Sequence, residues 1–107
     1  MTMSTTLLPW HFVALAAVVF ALGAAGAILR RNAVVLVMSI ELMLNAANLV
    51  FVAYARQFGS ASGHVYAFFV MAIAAAEAAV GLVIVLGVFR TRHTLDVDEL
   101  DVLRDDI

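Results

Sequence analysis

Three long stretches of apolar residues follow one another along this chain, separated by short polar segments. The first runs from about residue 11 to 29, the second from 33 to 54 and the third from 65 to 89. Continuous apolar runs of this length predict helices rather than strands. A hydrocarbon core about 30 Å thick is crossed by about 20 helical residues. The pattern therefore predicts an all-α membrane protein with three antiparallel transmembrane helices.

The segments between the apolar runs are too short to form a further domain. The tripeptide Arg30-Arg31-Asn32 follows the first run, and residues 55–64, which contain two glycines and two serines, follow the second. Such segments are typical of turns and loops. We therefore expect residues 1–107 to form a single membrane domain that ends in a tail, residues 90–107.

Composition agrees with this assignment. Of the 107 residues, 65% are hydrophobic and 13% are charged. Soluble domains average about 45–50% hydrophobic and about 25% charged residues. Six of the eight acidic residues lie in the last dozen positions, so the tail is expected to be solvated and partly disordered. The expected surroundings of the chain are the lipid bilayer and other membrane subunits, and not nucleic acid.

The arginines predict the orientation. The chain has no lysine, and in a three-span arrangement five of its six arginines lie on one side of the membrane, with Arg56 on the other. By the positive-inside rule the N-terminus is outside and the tail is cytoplasmic. No positive charge precedes the first run, so we do not expect it to be a cleaved signal peptide.

Cysteine and histidine limit the possible cofactors. The chain has no cysteine, which excludes iron–sulfur ligation, disulfides and thiolate metal sites. His11, His64 and His93 fall near the ends of the apolar runs, so none can hold a haem at mid-membrane. We expect no redox cofactor in this chain.

The two acidic residues outside the tail, Glu41 and Glu77, lie within the second and third runs. At 1.5 Å per residue, they are about 12 Å and about 18 Å from the cytoplasmic face. An ionisable group at that depth costs roughly 2.5–3.5 kcal/mol, so each must be protonated, hydrated or paired with another subunit. Such groups are typical of proton paths, although a permanently protonated acid that joins two helices is the alternative.

Further polar residues lie near Glu41. Asn45 and Asn48 follow it at spacings that predict one stripe on the second helix, which could hold water or only bridge neighbouring helices. Glu77 is embedded in alanines, and because small residues favour close helix packing we expect it to face protein. Arg30 and Arg31 are topology signals that could also contact a partner subunit or lipid headgroups.

Three motifs resemble one known family. They are Arg30-Arg31-Asn32, the segment Ser39-Ile40-Glu41-Leu42-Met43-Leu44-Asn45, and the segment Ala74-Ala75-Ala76-Glu77-Ala78-Ala79-Val80-Gly81-Leu82. Together they resemble chain K of the bacterial proton-pumping NADH:quinone oxidoreductase (respiratory complex I), the counterpart of the mitochondrial four-L subunit. The resemblance covers nearly the whole chain. Family members often have glycine where Ser39 stands.

The resemblance implies a role for each site residue. Glu41 and Glu77 would belong to the proton pathway, and Arg30 and Arg31 would support it. The chain would lie in the membrane arm, between quinone-proximal and antiporter-like subunits. Flavin, iron–sulfur clusters and quinone would be held by other subunits. The expected location is the bacterial inner (plasma) membrane, or the mitochondrial inner membrane in a eukaryote.

Other families share parts of this pattern. The C subunit of multi-subunit sodium/proton antiporters has the same three-helix layout and is the main alternative. A small multidrug transporter is disfavoured because those proteins typically have four spans and an acid in the first helix. A purely structural subunit would not need two ionisable groups within its spans.

Overall fold

Three long α-helices form most of the described part of the chain, in a computed structural model that describes residues 7–100. They are α1 (Pro9–Leu29), α2 (Ala33–Phe58) and α3 (Ser62–Arg92), followed by a short 3₁₀ helix, Val97–Leu100. All three α-helices are long and apolar enough to cross a membrane. The prediction of an all-α protein with three membrane-spanning helices is confirmed.

The connection between α2 and α3 is shorter than predicted. Gly59 ends α2 in the left-handed conformation, with φ of 60°, and its N–H bonds to the carbonyl groups of Ala55 and Arg56. Gly63, which was expected in the loop, lies in the first turn of α3. A Cβ atom at this position would be 2.6 Å from the Phe51 carbonyl oxygen, so the glycine permits close packing. The predicted loop 55–64 therefore shrinks to residues 59–61.

Helix α2 lies between α1 and α3 and contacts both. On the α1 side, Gly23 packs against Met43 and the Ser39 carbonyl, where an added Cβ would be 2.8 Å from the carbonyl oxygen. On the α3 side, Gly81 packs against Val37. Small residues allow this close approach in lipid, where there is no hydrophobic drive between helices.

The turn between α1 and α2 is capped by a side chain. The Asn32 Oδ1 atom accepts hydrogen bonds from the N–H groups of Val34 and Val35, at 2.9 Å and 3.2 Å. This satisfies two of the donors that a helix N-terminus leaves without backbone partners. The tripeptide Arg30-Arg31-Asn32 is thus a turn, as predicted.

Part of the tail is folded back on the helices. Residues 90–92 belong to α3, and Asp96 forms an antiparallel bridge with Asn32. The Arg31 guanidinium lies 2.9 Å from the Asp98 carboxylate. Residues 94–100 of the tail are therefore ordered, because backbone bonds and an ion pair attach them to the turn, while Asp98 and Glu99 stay exposed to solvent. Asp101, Asp105 and Asp106 lie outside the described residues.

A close contact between Gly26 and Ser39 leads to a stability prediction. The buried Ser39 hydroxyl donates to the Val35 carbonyl at 2.7 Å, and a Cβ at Gly26 would be 2.5 Å from this hydroxyl oxygen. We expect Gly26→Ala to destabilise the α1–α2 contact by about 1–3 kcal/mol, as overpacking does. The measurement is the amount and melting temperature of the assembled complex.

Two further variants test the cause of that loss. Ser39→Gly removes the obstructing hydroxyl and should restore stability in the Gly26→Ala background. Gly87→Ala is the matched control, since a Cβ at Gly87 would have no neighbour within 4 Å. If Gly26→Ala and Gly87→Ala behave alike, the Gly26–Ser39 contact is not a constraint on packing.

Candidate functional site

An apolar groove between α2 and α3 holds the first of the two membrane glutamates. Its volume is about 320 Å³, and Glu41 is the only ionisable residue among those that line it. The lining residues are Val34, Val37, Met38, Glu41, Leu42 and Asn45 of α2, with Ala78, Leu82 and Val85 of α3. The groove thus surrounds one carboxyl group with almost entirely apolar walls.

Glu41, Asn45 and Asn48 all lie within α2, and the first two line the groove. Asn45 lines the groove, whereas Asn48 is buried at 8% exposure, and its Oδ1 atom has no hydrogen-bond partner among the described residues. At about 100° per residue, the two asparagines point about 60° apart around the helix. Asn48 lies only about 20° around the helix from Glu41, so the three residues share one face, but it is about 10 Å further along α2 than Glu41 and outside the groove lining.

Glu77 occupies the middle of α3, which spans Ser62–Arg92. It is exposed in this chain and does not line the groove, although its neighbour Ala78 does. The α3 residues that line the groove, Ala78, Leu82 and Val85, point about 100°, 140° and 80° away from Glu77. Glu77 therefore lies on the flank of α3 away from the groove. The expectation that it faces protein is not met within this chain.

The small residues around Glu77 are also largely open. Ala75, Ala76 and Ala79 are exposed, and only Ala74 among the nearby alanines is buried. Any protein surface against this flank must come from another chain. Glu77 thus lies outside the groove that holds Glu41, and neither carboxyl group forms an ion pair with an arginine within residues 7–100.

The paired arginines lie in the α1–α2 turn, apart from both glutamates. Arg31 pairs with Asp98, and both side chains are mostly exposed. Arg30 is exposed as well. Glu41 lies eight residues into α2, about 12 Å along the helix from Ala33. Any support that the arginines give to Glu41 must therefore act through the helix or through a partner.

The described residues contain no group of three or more histidine, cysteine, aspartate or glutamate side chains placed to hold a metal ion. His11 lies in the first turn of α1 and His64 in the first turn of α3, while His93 ends α3. His11 and His93 lie at the ends of their helices as predicted, whereas His64, which was predicted in the loop, belongs to α3.

Comparison with known proteins agrees with the motifs. The family model for NADH-ubiquinone/plastoquinone oxidoreductase chain 4L matches residues 11–105. The NADH-quinone oxidoreductase subunit K of Anaeromyxobacter sp. strain Fw109-5 is 56% identical over 91 residues, which are 85% of this chain and 91% of that protein. Subunit K of Anaeromyxobacter sp. strain K is 53% identical over 95 residues, 89% of this chain and 96% of the relative.

These matches favour the oxidoreductase over the sodium/proton antiporter alternative. They cover all three helices and both membrane glutamates. The chain therefore belongs to the chain 4L (subunit K) family of NADH-quinone oxidoreductases.

Proposed function

We propose that this chain is a proton-translocating subunit of the membrane arm of an NADH:quinone oxidoreductase, and that Glu41 and Glu77 carry the protons. The observation that carries the proposal is the position of Glu41 in an apolar groove at mid-span. Such a position for an ionisable group is costly, and in membrane proteins it marks proton relays. Electrons would pass through flavin, iron–sulfur clusters and quinone in other subunits.

The groove supports this role through the chemistry of its walls. Among its lining residues Glu41 is the group that can gain and lose a proton. The Asn45 amide, one helical turn away, can orient a water molecule beside the carboxyl group but cannot take its place as a proton carrier. Once partner subunits close the groove, its apolar walls would exclude bulk water, and protons would then reach Glu41 along defined water molecules.

The exposed position of Glu77 requires partner subunits. Glu77 lies outside the groove lining, and both Glu77 and the groove are open in the single chain. Three helices with α2 in the middle cannot enclose both acids and a water path. Quinone-proximal subunits on one side and antiporter-like subunits on the other would complete the walls.

The distribution of the arginines supports one orientation in the membrane. Arg30, Arg31, Arg90 and Arg92 lie at one end of the helices, which we call the arginine end, and Arg56 lies at the other. In our proposal the arginine end is cytoplasmic, the N-terminus is outside, and the membrane is the bacterial plasma membrane.

Purification of the native complex through a tag on this chain tests the assignment. We expect flavin and iron–sulfur centres to co-purify, detected by absorbance and by electron paramagnetic resonance after reduction with NADH. A complex that contains membrane subunits but neither type of centre would instead indicate the antiporter. An untagged strain that is carried through the same steps is the control for carry-over.

A further inference from the structure

Residues 94–100, which we call the strap, join the end of α3 to the α1–α2 turn. The Ala33 N–H donates to the Leu95 carbonyl, and the Val97 N–H donates to the Arg31 carbonyl, both at 2.9 Å. The Arg31–Asp98 ion pair adds a side-chain contact at the same place. The strap therefore links the arginine ends of all three helices.

The inner side of the strap is apolar. It covers a cavity of about 90 Å³, lined by Ala33, Ile84, Val85, Val88, Thr94, Leu95 and Leu100. Val85, which is 9% exposed, lines both this cavity and the Glu41 groove. Ala33, which lines the cavity, is next in sequence to Val34, which lines the groove. The strap and the groove thus share one wall at the arginine end.

We propose that the strap is a lock that holds the arginine end of α3 against α2, and so keeps water at that end out of the Glu41 groove. Further toward the membrane centre, Gly81 of α3 packs against Val37 of α2. Arg31 is then a positioning residue for the strap. The inference rests on the proposed function only where it concerns protons.

The contacts of the strap contribute unequally to the stability of its closed state. Both partners of the Arg31–Asp98 pair are more than half exposed, at 73% and 59%, and exposed ion pairs contribute little to stability. The apolar side chains of Leu95 and Leu100 and the two backbone hydrogen bonds must therefore hold most of the closed state. Accordingly Leu100→Asp should release the strap, and Asp98→Asn should loosen it slightly.

A cysteine beneath the strap tests its closure. The chain has no cysteine, so Ala33→Cys introduces the only thiol of this subunit, inside the covered cavity. In membranes that contain the assembled complex, a membrane-impermeant maleimide should label Ala33→Cys at least about tenfold more slowly than the exposed control Arg30→Cys. Adding Leu100→Asp should raise the Ala33→Cys rate at least about fivefold and leave the Arg30→Cys rate unchanged.

Proton coupling tests the function of the lock. In inverted vesicles, Leu100→Asp should lower the number of protons moved per NADH oxidised at least about twofold, while NADH oxidation per assembled complex is maintained. A purely structural role would lower the amount of complex and leave this ratio unchanged. Asp98→Asn, which is less disruptive, should lower the ratio slightly and provides the test if Leu100→Asp does not assemble.

A reversible disulfide that holds the strap closed tests whether closure restores proton coupling in Leu100→Asp. Asn32 and Asp96 are a non-hydrogen-bonded antiparallel pair, for which Cα atoms are about 4.5 Å apart, a separation compatible with a disulfide. In the Leu100→Asp background, a disulfide between Asn32→Cys and Asp96→Cys should restore the number of protons moved per NADH oxidised. Reduction of this disulfide should lower that number again. The same variant with Asn32→Ser instead of Asn32→Cys is the control and should not respond.

Two results would contradict the proposal that the strap is a lock. One is equal labelling of Ala33→Cys and Arg30→Cys in the parent complex. The other is an unchanged proton ratio in both Leu100→Asp and Asp98→Asn, in an assay in which Glu41→Gln stops pumping. If Glu41→Gln also pumps normally there, the proposed function of the chain fails instead.

Discussion

Replacement of Glu41 by glutamine is expected to abolish most NADH-driven proton pumping. Glutamine keeps the size and shape of the side chain in the groove but cannot gain or lose a proton. Positioned proton-transfer groups contribute about 10²–10⁴-fold to rates, so we expect a loss of at least about tenfold. The measurement is NADH-driven proton uptake in inverted membrane vesicles, normalised to the assembled complex.

Two variants serve as controls for Glu41→Gln. Glu41→Asp keeps a carboxyl group on a shorter side chain and should retain part of the activity. Asn45→Ala removes a polar group from the same groove without removing a titratable one, so its effect should be milder. Wild-type pumping by an assembled Glu41→Gln complex would mean that this carboxyl group carries no protons.

Replacement of Glu77 by glutamine should also reduce proton pumping, by less than Glu41→Gln does. Glu77 is exposed in the single chain, so its surroundings in the complex are supplied by a partner, and that partner can offer other polar groups to the water path. Several-fold loss is expected in the vesicle assay, with Glu77→Asp closer to wild type. Asn48→Ala, which changes a buried amide in α2, should have a milder effect.

The double variant Glu41→Gln with Glu77→Gln decides between proton transfer and structure for both acids. If it assembles and pumps at the wild-type rate, both residues are neutral acids that only hydrogen-bond between helices. If it fails to assemble, the single variants and the two aspartate variants remain informative, because each alters one flank of the α2–α3 pair at a time.

The sequence predicts the helices well because lipid imposes a simple rule on their length. It predicts poorly which side of each helix packs on protein and which side faces lipid. Helix α3 is apolar around its whole circumference, and lipid and protein neighbours are both apolar, so the pattern does not show which side packs on α2. The flank occupied by Glu77 therefore became known only from the structure. Asn48 shares the face of Glu41, as its spacing predicts, but the spacing does not show that the groove ends about one turn short of it.

Gly63 and the strap show a second limit. Glycine near a predicted loop suggests a turn, yet Gly63 lies within α3, where it allows Phe51 and Ala55 to approach closely. The acidic composition of the tail suggests solvation. Its contacts depend on a partner more than sixty residues earlier in the chain, since Asp98 pairs with Arg31. Neither local composition nor periodicity contains such long-range information.

The position of α2 between its two neighbours has a consequence for newly made chains. In a single chain inserted in the bilayer, the open Glu41 groove and the exposed Glu77 would both face lipid. Each ionisable group near the bilayer centre costs roughly 2.5–3.5 kcal/mol. Assembly removes this cost when partners cover the two flanks. The same two acids thus favour incorporation into the complex and make an orphan subunit easy for membrane quality control to distinguish from an assembled one.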